Sequence, residues 1–511
     1  MENKVKAPKL KKKENHKQRA YLNSITSVLD STVKQLTGFF VSPFIVRGLG
    51  DSLYGVYHIL LDTTSYANMA DIRTSQVLKW TIAQKRDVLD DDELRSEFTT
   101  GMVLTLLLIP IVLVIGGILS WYAPVITNVD EAYYSIVRIA SLLMIFSIVM
   151  SKMMDLFESV LRGMNLGFKG MGIRSGLLIT GGLMKVFAIL QGYGLIGLSI
   201  VQVLIGLMTG GIFYWLVKKN VPWFGFGKTD KTKILSYSKL SGWFMATMLA
   251  NMLLFHSEKI LLGYIVGPEL VTIYVLTLFT SAAMKSMVDA IISGVVPGIG
   301  NFFGKGQFDK IKISKKLINS LIWWCTFAVG TSILLYNQSF LELWVGGDKY
   351  AGNFENLLIA LIAIQYIFFS TTGNFINVTL DLKMKVLLIG LAALITIGLA
   401  FVLVKPLGIL GMCLSILTGR MVLTIGFPRF LKKKINDTSK LITLENIRPF
   451  VVTIGGLFLA AMVQDQIEAE SWFQLVLYGS GTTLVLGGLF WVIGFSKYQK
   501  DLLKENLGKI K

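Results

Sequence analysis

Apolar residues along this chain come in runs of about twenty, separated by short polar connections rich in lysine. A helix that crosses the hydrocarbon core of a bilayer needs about 20 such residues. The runs fall at 22–46, 53–78, 98–120, 133–160, 171–190, 194–217, 240–262, 270–295, 317–336, 354–379, 386–404, 407–428, 449–464 and 472–494. No segments alternate apolar and polar positions in the manner of a membrane barrel. The pattern predicts an all-α polytopic membrane protein of about 14 transmembrane helices.

The polar connections set an orientation. Of the 50 Lys and Arg, 39 fall in the tails and alternate connections of one side, and only Arg47, Lys349 and Lys405 fall on the other. Strict alternation of this kind is the positive-inside signature. It predicts a multi-pass membrane protein with both termini in the cytoplasm.

The chain also repeats itself. "RGLGDSLYGVYHI" (47–59) aligns with "GYIVGPELVTIYVL" (263–276), pairing Gly50 with Gly267 and Tyr57 with Tyr274. "GLIGLSIVQVLIG" (194–206) aligns with "GILGMCLSILTG" (408–419) at nearly the same offset. Six spans separate the copies, so both face the same way. Parallel repeats about an axis along the membrane normal are a transporter layout, with the substrate site between lobes. The expected organisation is a basic tail (1–20), an N-lobe of helices 1–6 (21–217) and an inter-lobe linker (218–239). A C-lobe of helices 7–12 (240–431), a loop (432–448), helices 13–14 (449–494) and a second basic tail (495–511) follow.

Composition agrees. The chain is 53% hydrophobic and 16% charged, with mean hydropathy +0.61, against roughly 25% charged in soluble proteins. The net charge of +18 reflects topology and attraction to anionic lipid heads, and with no reader motif nucleic acid is not an expected partner. Cys325 and Cys413 both lie in apolar runs and read as small core residues. His16, His58 and His256 are scattered, so no metal spacing arises. "PWFGFGKT" (222–229) resembles a phosphate loop only at its end, and no strand precedes it. No catalytic set is present, so neither an enzyme nor a cofactor is expected. Pro43 and Pro110 are expected to kink their spans, and GxxxG spacings such as Gly172/Gly176 and Gly206/Gly210 to pack helices closely.

The remaining charges lie inside spans, where an ionised group costs about 2.5–3.5 kcal/mol on insertion scales. In the first span, Asp30 and Lys34 are an i,i+4 pair. In the second, Asp62 and Arg73 are three turns apart and share a face, while Asp71 points the other way. Glu258 and Lys259 lie in the seventh span, Lys285 and Asp289 at i,i+4 in the eighth. Lys152, Asp155, Glu158 and Lys185 occupy spans four and five. The bland reading pairs each acid with its own i,i+4 base. The functional one gathers helices 1, 2, 7 and 8 around a polar cleft, because buried pairs stabilise poorly compared with apolar packing.

Two local patterns carry a family resemblance. "RGLGDSLYGVYHILLDTTSYANMAD" joins helices 1 and 2, and "SEKILLGYIVGPELVTIY" joins helices 7 and 8. With the 6 + 6 + 2 layout they resemble the polysaccharide-transporter (PST) family. These are the Wzx-type O-antigen or repeat-unit flippases of the multidrug/oligosaccharidyl-lipid/polysaccharide (MOP) exporter superfamily. Arg73 stands where many members have glycine soon after the acid of helix 2. The resemblance implies a V-shaped, MATE-like bundle with alternating access, which moves an undecaprenyl-diphosphate oligosaccharide. It implies that Lys34, Arg47, Arg73, Lys259 and Lys285 meet the diphosphate and sugars. Asp30, Asp62, Glu258 and Asp289 would hold those bases or bind a coupling cation. Lipid-linked oligosaccharide, membrane lipids and polysaccharide polymerase or assembly proteins are the implied partners of a monomer. The alternative is a cation-coupled small-molecule or drug exporter of the MATE type.

Overall fold

The apolar runs become helices, and polar residues at their ends decide where they start. The structure, a computed structural model, describes residues 16–67, 74–85, 90–379, 381–439 and 444–507. Among them there is no strand. In chain order the helices are α1 (His16–Ser65), α2 (Thr74–Lys85), α3 (Asp91–Thr127), α4 (Tyr134–Gly163), α5 (Gly167–Leu190), α6 (Gly194–Asn220), α7 (Lys231–Phe255), α8 (Ser257–Val266) and α9 (Pro268–Gly304). Then come α10 (Phe308–Trp344), α11 (Asn353–Val378), α12 (Lys383–Lys434), α13 (Leu444–Val463), α14 (Trp472–Ile493) and α15 (Lys497–Leu507).

Asp90 caps α3 by accepting the Glu93 N–H at 2.7 Å, and Asp91, Asp92 and Glu93 fill its first turn. Negative charge there complements the helix dipole. Asp230 caps α7 in the same way, accepting from Lys233 N at 2.7 Å.

Eleven of the described helices are long and apolar enough to cross a membrane. Gly408 divides α12 and Gly50 divides α1, which brings the segments to about the fourteen expected. Large apolar side chains cover the outside, among them Leu183, Leu394, Phe473 and Leu484, each at least 66% exposed. A soluble monomer rarely shows an apolar exterior this extensive.

The repeat is visible in the backbone. Gly50 (φ 72°, ψ 173°) and Gly267 (φ 101°, ψ 158°) break their helices in a region open almost only to glycine. Gly194 and Gly408 match again, at φ 53° and 54°. Tyr57 and Tyr274 are both buried. Positions paired by sequence alone thus share backbone conformation.

Several expectations are corrected. Within the second span α1 ends at Ser65, 66–67 form a 3₁₀ turn, 68–73 lie outside the described residues, and α2 begins at Thr74. The Asp62–Arg73 face assumed an unbroken helix, and Arg73 and Asp71 lie outside the described residues. Pro43 and Pro110 sit within α1 and α3, but the break in α1 falls at Gly50. Gly210 lies so close to Met154 that a Cβ would collide, whereas Gly172 and Gly176 face open space. The tail 495–511 contains α15, whose Leu503 is buried.

The halves meet through α1 and α9. On the side away from the lysine-rich connections, Ile45, Val46 and Leu49 of α1 share a core with Leu276, Leu341 and Trp344. The Trp344 indole donates to the Phe39 carbonyl at 2.8 Å and stacks on the Phe39 ring. Lys349 Nζ lies 2.6 Å from Asp51, and the Thr272 hydroxyl donates to the Asp51 carbonyl at 2.6 Å. On the lysine-rich side, the linker is strapped to α3: Lys233 Nζ donates to Ser96 Oγ at 2.8 Å, and Thr229 and Thr100 share a hydrogen bond of 2.6 Å.

Candidate functional site

The ionisable residues that meet in the interior come from five elements: the second segment of α1, then α8, α9, α11 and α12. Asp62 of α1 is buried. Its Oδ1 is 2.8 Å from His256 Nδ1, at the break between α7 and α8, and its Oδ2 is 2.9 Å from Lys259 Nζ. The Lys259 contact is an ion contact without hydrogen-bond alignment, and Oδ2 receives no aligned donor. Both partners come from the other half of the chain, so this carboxylate joins the two halves.

The neighbouring Glu258 turns to a different base. Its Oε1 pairs with Arg420 of α12, and the Tyr274 hydroxyl donates to its Oε2 at 3.4 Å. The Arg420 guanidinium also lies 4.9 Å from the centre of the Phe255 ring. Its side chain is 4% exposed, and its Nε is buried with no acceptor.

Lys285 and Asp289 share α9 but form no ion pair among the described residues. The Lys285 ammonium lies over the Tyr366 ring at 4.4 Å, and Asp289 accepts from the Ser370 hydroxyl at 3.3 Å. Arg420, Glu258, Asp289 and Lys259 all lie near enough to act on the Lys285 charge. Ser281, one turn before Lys285, is buried, and its hydroxyl has no partner. Beside this cluster a void of about 100 Å³ is lined by Asn251, Tyr366, Ser370, Asn374 and Lys385.

The structure thus brings together Asp62, Glu258, Lys259, Lys285 and Asp289. It does not bring Asp30, Lys34 or Arg47 into that group. Asp30 lies 3.9 Å from Arg174 and accepts from Ser175 at 3.4 Å, both on α5. Lys34 is exposed and forms no ion pair with Asp30 among the described residues. Arg47 is exposed on the opposite side from the lysine-rich connections. Arg174 also contacts Glu158, which pairs with Arg162, so Asp30 and Glu158 belong to a partly solvated network. Lys185 donates to the Tyr57 hydroxyl at 3.2 Å.

Pairing by i,i+4 spacing therefore fails for Asp30 and Lys34 and for Lys285 and Asp289. The spacing puts side chains on one face, but tertiary neighbours offer better geometry. Arg420 is the residue that sequence reasoning passed over. Its signal was present: a lone arginine in the apolar run "LSILTGRMVLTIG" (414–426) carries the same insertion cost as the residues singled out. Among the described residues no group of three or more His, Cys, Asp or Glu is placed to hold a metal ion.

Chemically, the cluster is a buried polar site with spare donors. Arg420 Nε–H, the Ser281 hydroxyl and the Lys285 ammonium, which forms no ion pair among the described residues, are suited to oxygens of an anion. Guanidinium and ammonium groups supply the strong, charge-assisted hydrogen bonds to phosphate.

The chain resembles a solved structure described as the lipid II flippase MurJ in an inward closed conformation, with TM-score 0.65 and 13% identity, covering 92% of this chain and 99% of that one. It also resembles an inward-facing multidrug resistance MATE family transporter of the MOP superfamily, with TM-score 0.64 and 14% identity, covering 82% and 100%. A MATE structure in complex with MaD3S matches at TM-score 0.61 and 14% identity, covering 82% and 96%. No curated protein matched by sequence. Residues 22–303, more than half of the chain, match the family described as "Polysaccharide biosynthesis protein". The chain belongs to that family, and it shares its fold with these MurJ and MATE structures.

Proposed function

We propose that the protein is a flippase that carries a lipid-linked oligosaccharide, an undecaprenyl-diphosphate glycan, across a bacterial plasma membrane for surface polysaccharide or O-antigen assembly. Both termini are cytoplasmic, and the lobes 21–217 and 240–431 rock about the cleft between them. The observation that carries this reading is the surplus of buried donors. Arg420 Nε and the Ser281 hydroxyl have no partner, and Lys285 rests on a ring instead of a carboxylate. A diphosphate brings about two negative charges and satisfies all three by charge-assisted hydrogen bonds. Lys259, released from Asp62, adds a fourth contact, and Arg73 is assigned to the same group. Lys34 and Arg47 guide the glycan at the two mouths. In the empty state Asp62 and Glu258 hold their bases, so substrate and acid compete for the same cations.

The test is translocation of a fluorescent lipid-linked oligosaccharide in vesicles containing purified protein. Lys285→Ala and Arg73→Ala should each abolish movement while leaving membrane insertion intact. Full complementation of a deletion strain by both variants would sink the proposal.

One observation favours a second reading, a cation-coupled exporter. Asp62 Oδ2 is buried without an aligned donor, as a coupling cation requires. That reading predicts that Asp62→Asn stops efflux of a cationic dye, whereas Arg420→Met and Lys285→Met leave it running.

A further inference from the structure

A second chamber lies within the C-terminal half, separate from the charged cluster. It has a volume of about 780 Å³ and lies between α10, α11, α12, α13 and α15. That is ample for a ligand-sized molecule. Helices α11 and α12 stand between it and the charged cluster. Tyr366 and Ser370 of α11 meet the charges on α9, while Leu361, Gln365 and Phe368 line the chamber. On α12, Arg420 turns to Glu258, while Leu417 and Met421 line the chamber.

The two ends of this chamber differ. The mouth, at the lysine-rich face, carries Lys312, Lys315, Lys316 and Lys432 against two acids, Asp309 and Asp437. Asp309 is taken up by Lys312 at 3.0 Å, and Lys316 lies 4.8 Å over the Tyr498 ring. Lys315 makes no ion pair among the described residues. Below the lysines the walls are apolar and aromatic, including Trp323, whose ring centre is 4.2 Å from that of Phe368. The apolar stretch ends near Gln365. Its Nε2 donates to the Leu417 carbonyl at 3.1 Å, and its buried Oε1 has no donor. From Lys432 to Leu417 the helix rises about 22 Å. That exceeds the roughly 15 Å half-thickness of a bilayer core, so one acyl chain fits between the lysines and Gln365.

We propose that this chamber binds an anionic phospholipid of the leaflet on the lysine-rich side. The phosphate sits among Lys312, Lys315 and Lys432, and an acyl chain lies along Trp323, Phe368 and Met421. Charge complementarity selects the occupant. The mouth has a cationic excess of two, and a leaflet facing basic connections offers negative heads. A zwitterionic lipid would leave that excess unbalanced, and a free phosphate would leave the apolar section empty. This site is independent of which solute crosses the cleft.

Trp323 is the reporter. Full-length protein is reconstituted in phosphatidylcholine vesicles, and phosphatidylglycerol with brominated acyl chains is titrated in. The expected result is a quenching component that saturates at low mole fraction and is absent from Trp323→Phe. Brominated phosphatidylcholine should produce it only at several-fold higher mole fraction. Lys315→Gln/Lys432→Gln should weaken the component several-fold, and Lys315→Arg/Lys432→Arg should preserve it, which separates charge from folding. Equal quenching by both lipids, an unchanged signal in Trp323→Phe, or an unaffected Gln variant overturns the assignment. So does displacement of the brominated lipid by millimolar inorganic phosphate, which would mark a head-group site with no chain. Loss of lipid selectivity with translocation intact would leave the flippase reading standing, and loss of translocation alone would leave this site standing.

Discussion

The two halves of the chain have matching backbones and unlike chemistry. Gly50 and Gly267 break their helices with similar angles, and Gly194 and Gly408 have nearly the same φ. Yet the charges of the N-terminal half, Asp30, Arg174, Glu158 and Arg162, form a chain of ion contacts whose bases are about 40% exposed. Those of the C-terminal half, Glu258, Lys259, Lys285 and Arg420, are buried or half-buried. The N-terminal half sends only Asp62 into that group among the described residues. A repeat therefore conserves the hinge geometry while the site is built mostly on one side of the axis.

This contrast can be broken by substitution. The largest effect is expected for Arg420→Ala, which leaves Glu258 buried and unpaired. Breaking such a pair costs about 3–5 kcal/mol, read as thermal unfolding in detergent, and translocation is lost with it. The double variant Glu258→Leu/Arg420→Met should recover most of the stability but not the translocation. Its counterpart Arg174→Ala, in the solvated network, should cost no more than about 1 kcal/mol. Equal losses from Arg420→Ala and Arg174→Ala would contradict the asymmetry.

Next in size are the glycines. Gly50→Ala and Gly267→Ala should each cost about 1–3 kcal/mol, from backbone conformation alone. An added Cβ meets nothing within 4 Å at Gly50 and only the flexible Glu269 carboxylate, at 3.0 Å, at Gly267. Unequal losses in unfolding would show that the breaks are not equivalent.

The smallest effect concerns the seal where Lys349 reaches Asp51 and Asp348. The hydrogen bond from Lys349 holds the Asp348 carboxyl below its usual range. Burial opposes the charge on Lys349, but the hydrogen bonds to Asp348 and Asp51 raise its ammonium above the ordinary lysine value. Asp348 therefore contributes fully above the free carboxylate value near 4 and loses its contribution as pH falls through its lower folded value. Lys349 contributes fully below about 10.4 and loses its share as pH rises through its higher folded value. Lys349→Met should flatten both flanks of an unfolding-against-pH curve by less than about 1 kcal/mol. An unchanged curve would remove the seal from the account.

Much of the fold was legible because lipid imposes a long apolar period and topology imposes a lysine count. The repeat was legible because glycine is required where φ is positive, so its spacing survives when side chains diverge. The site was legible only as an inventory. Insertion cost marks which charges need a reason, but not which partner supplies it. Asp62 is held by Lys259 and Asp30 by Arg174, and neither pairing follows from helical spacing. The end of α1 at Ser65 was not legible because "LYGVYHILLDTTSYANMADIRTSQVL" (53–78) holds no proline, and its polar run from Asp62 onward reads equally as a polar helix face. Arg420 was not legible from the repeat, because at the offset that pairs Gly194 with Gly408 its counterpart in the first copy is Gly206, and no base marks the site there.

The Asp62 contacts have a consequence for motion. The halves meet through an apolar core around Trp344, but at Asp62 they are joined by a carboxylate against an ammonium and an imidazole. Leucine against leucine would adhere because water is expelled and would resist water's return. An ion pair surrenders hydration on closing and regains it on opening, so its net adhesion is small. Such a join behaves as a clasp, not a weld: specific enough to set the closed register, and weak enough for incoming water to undo.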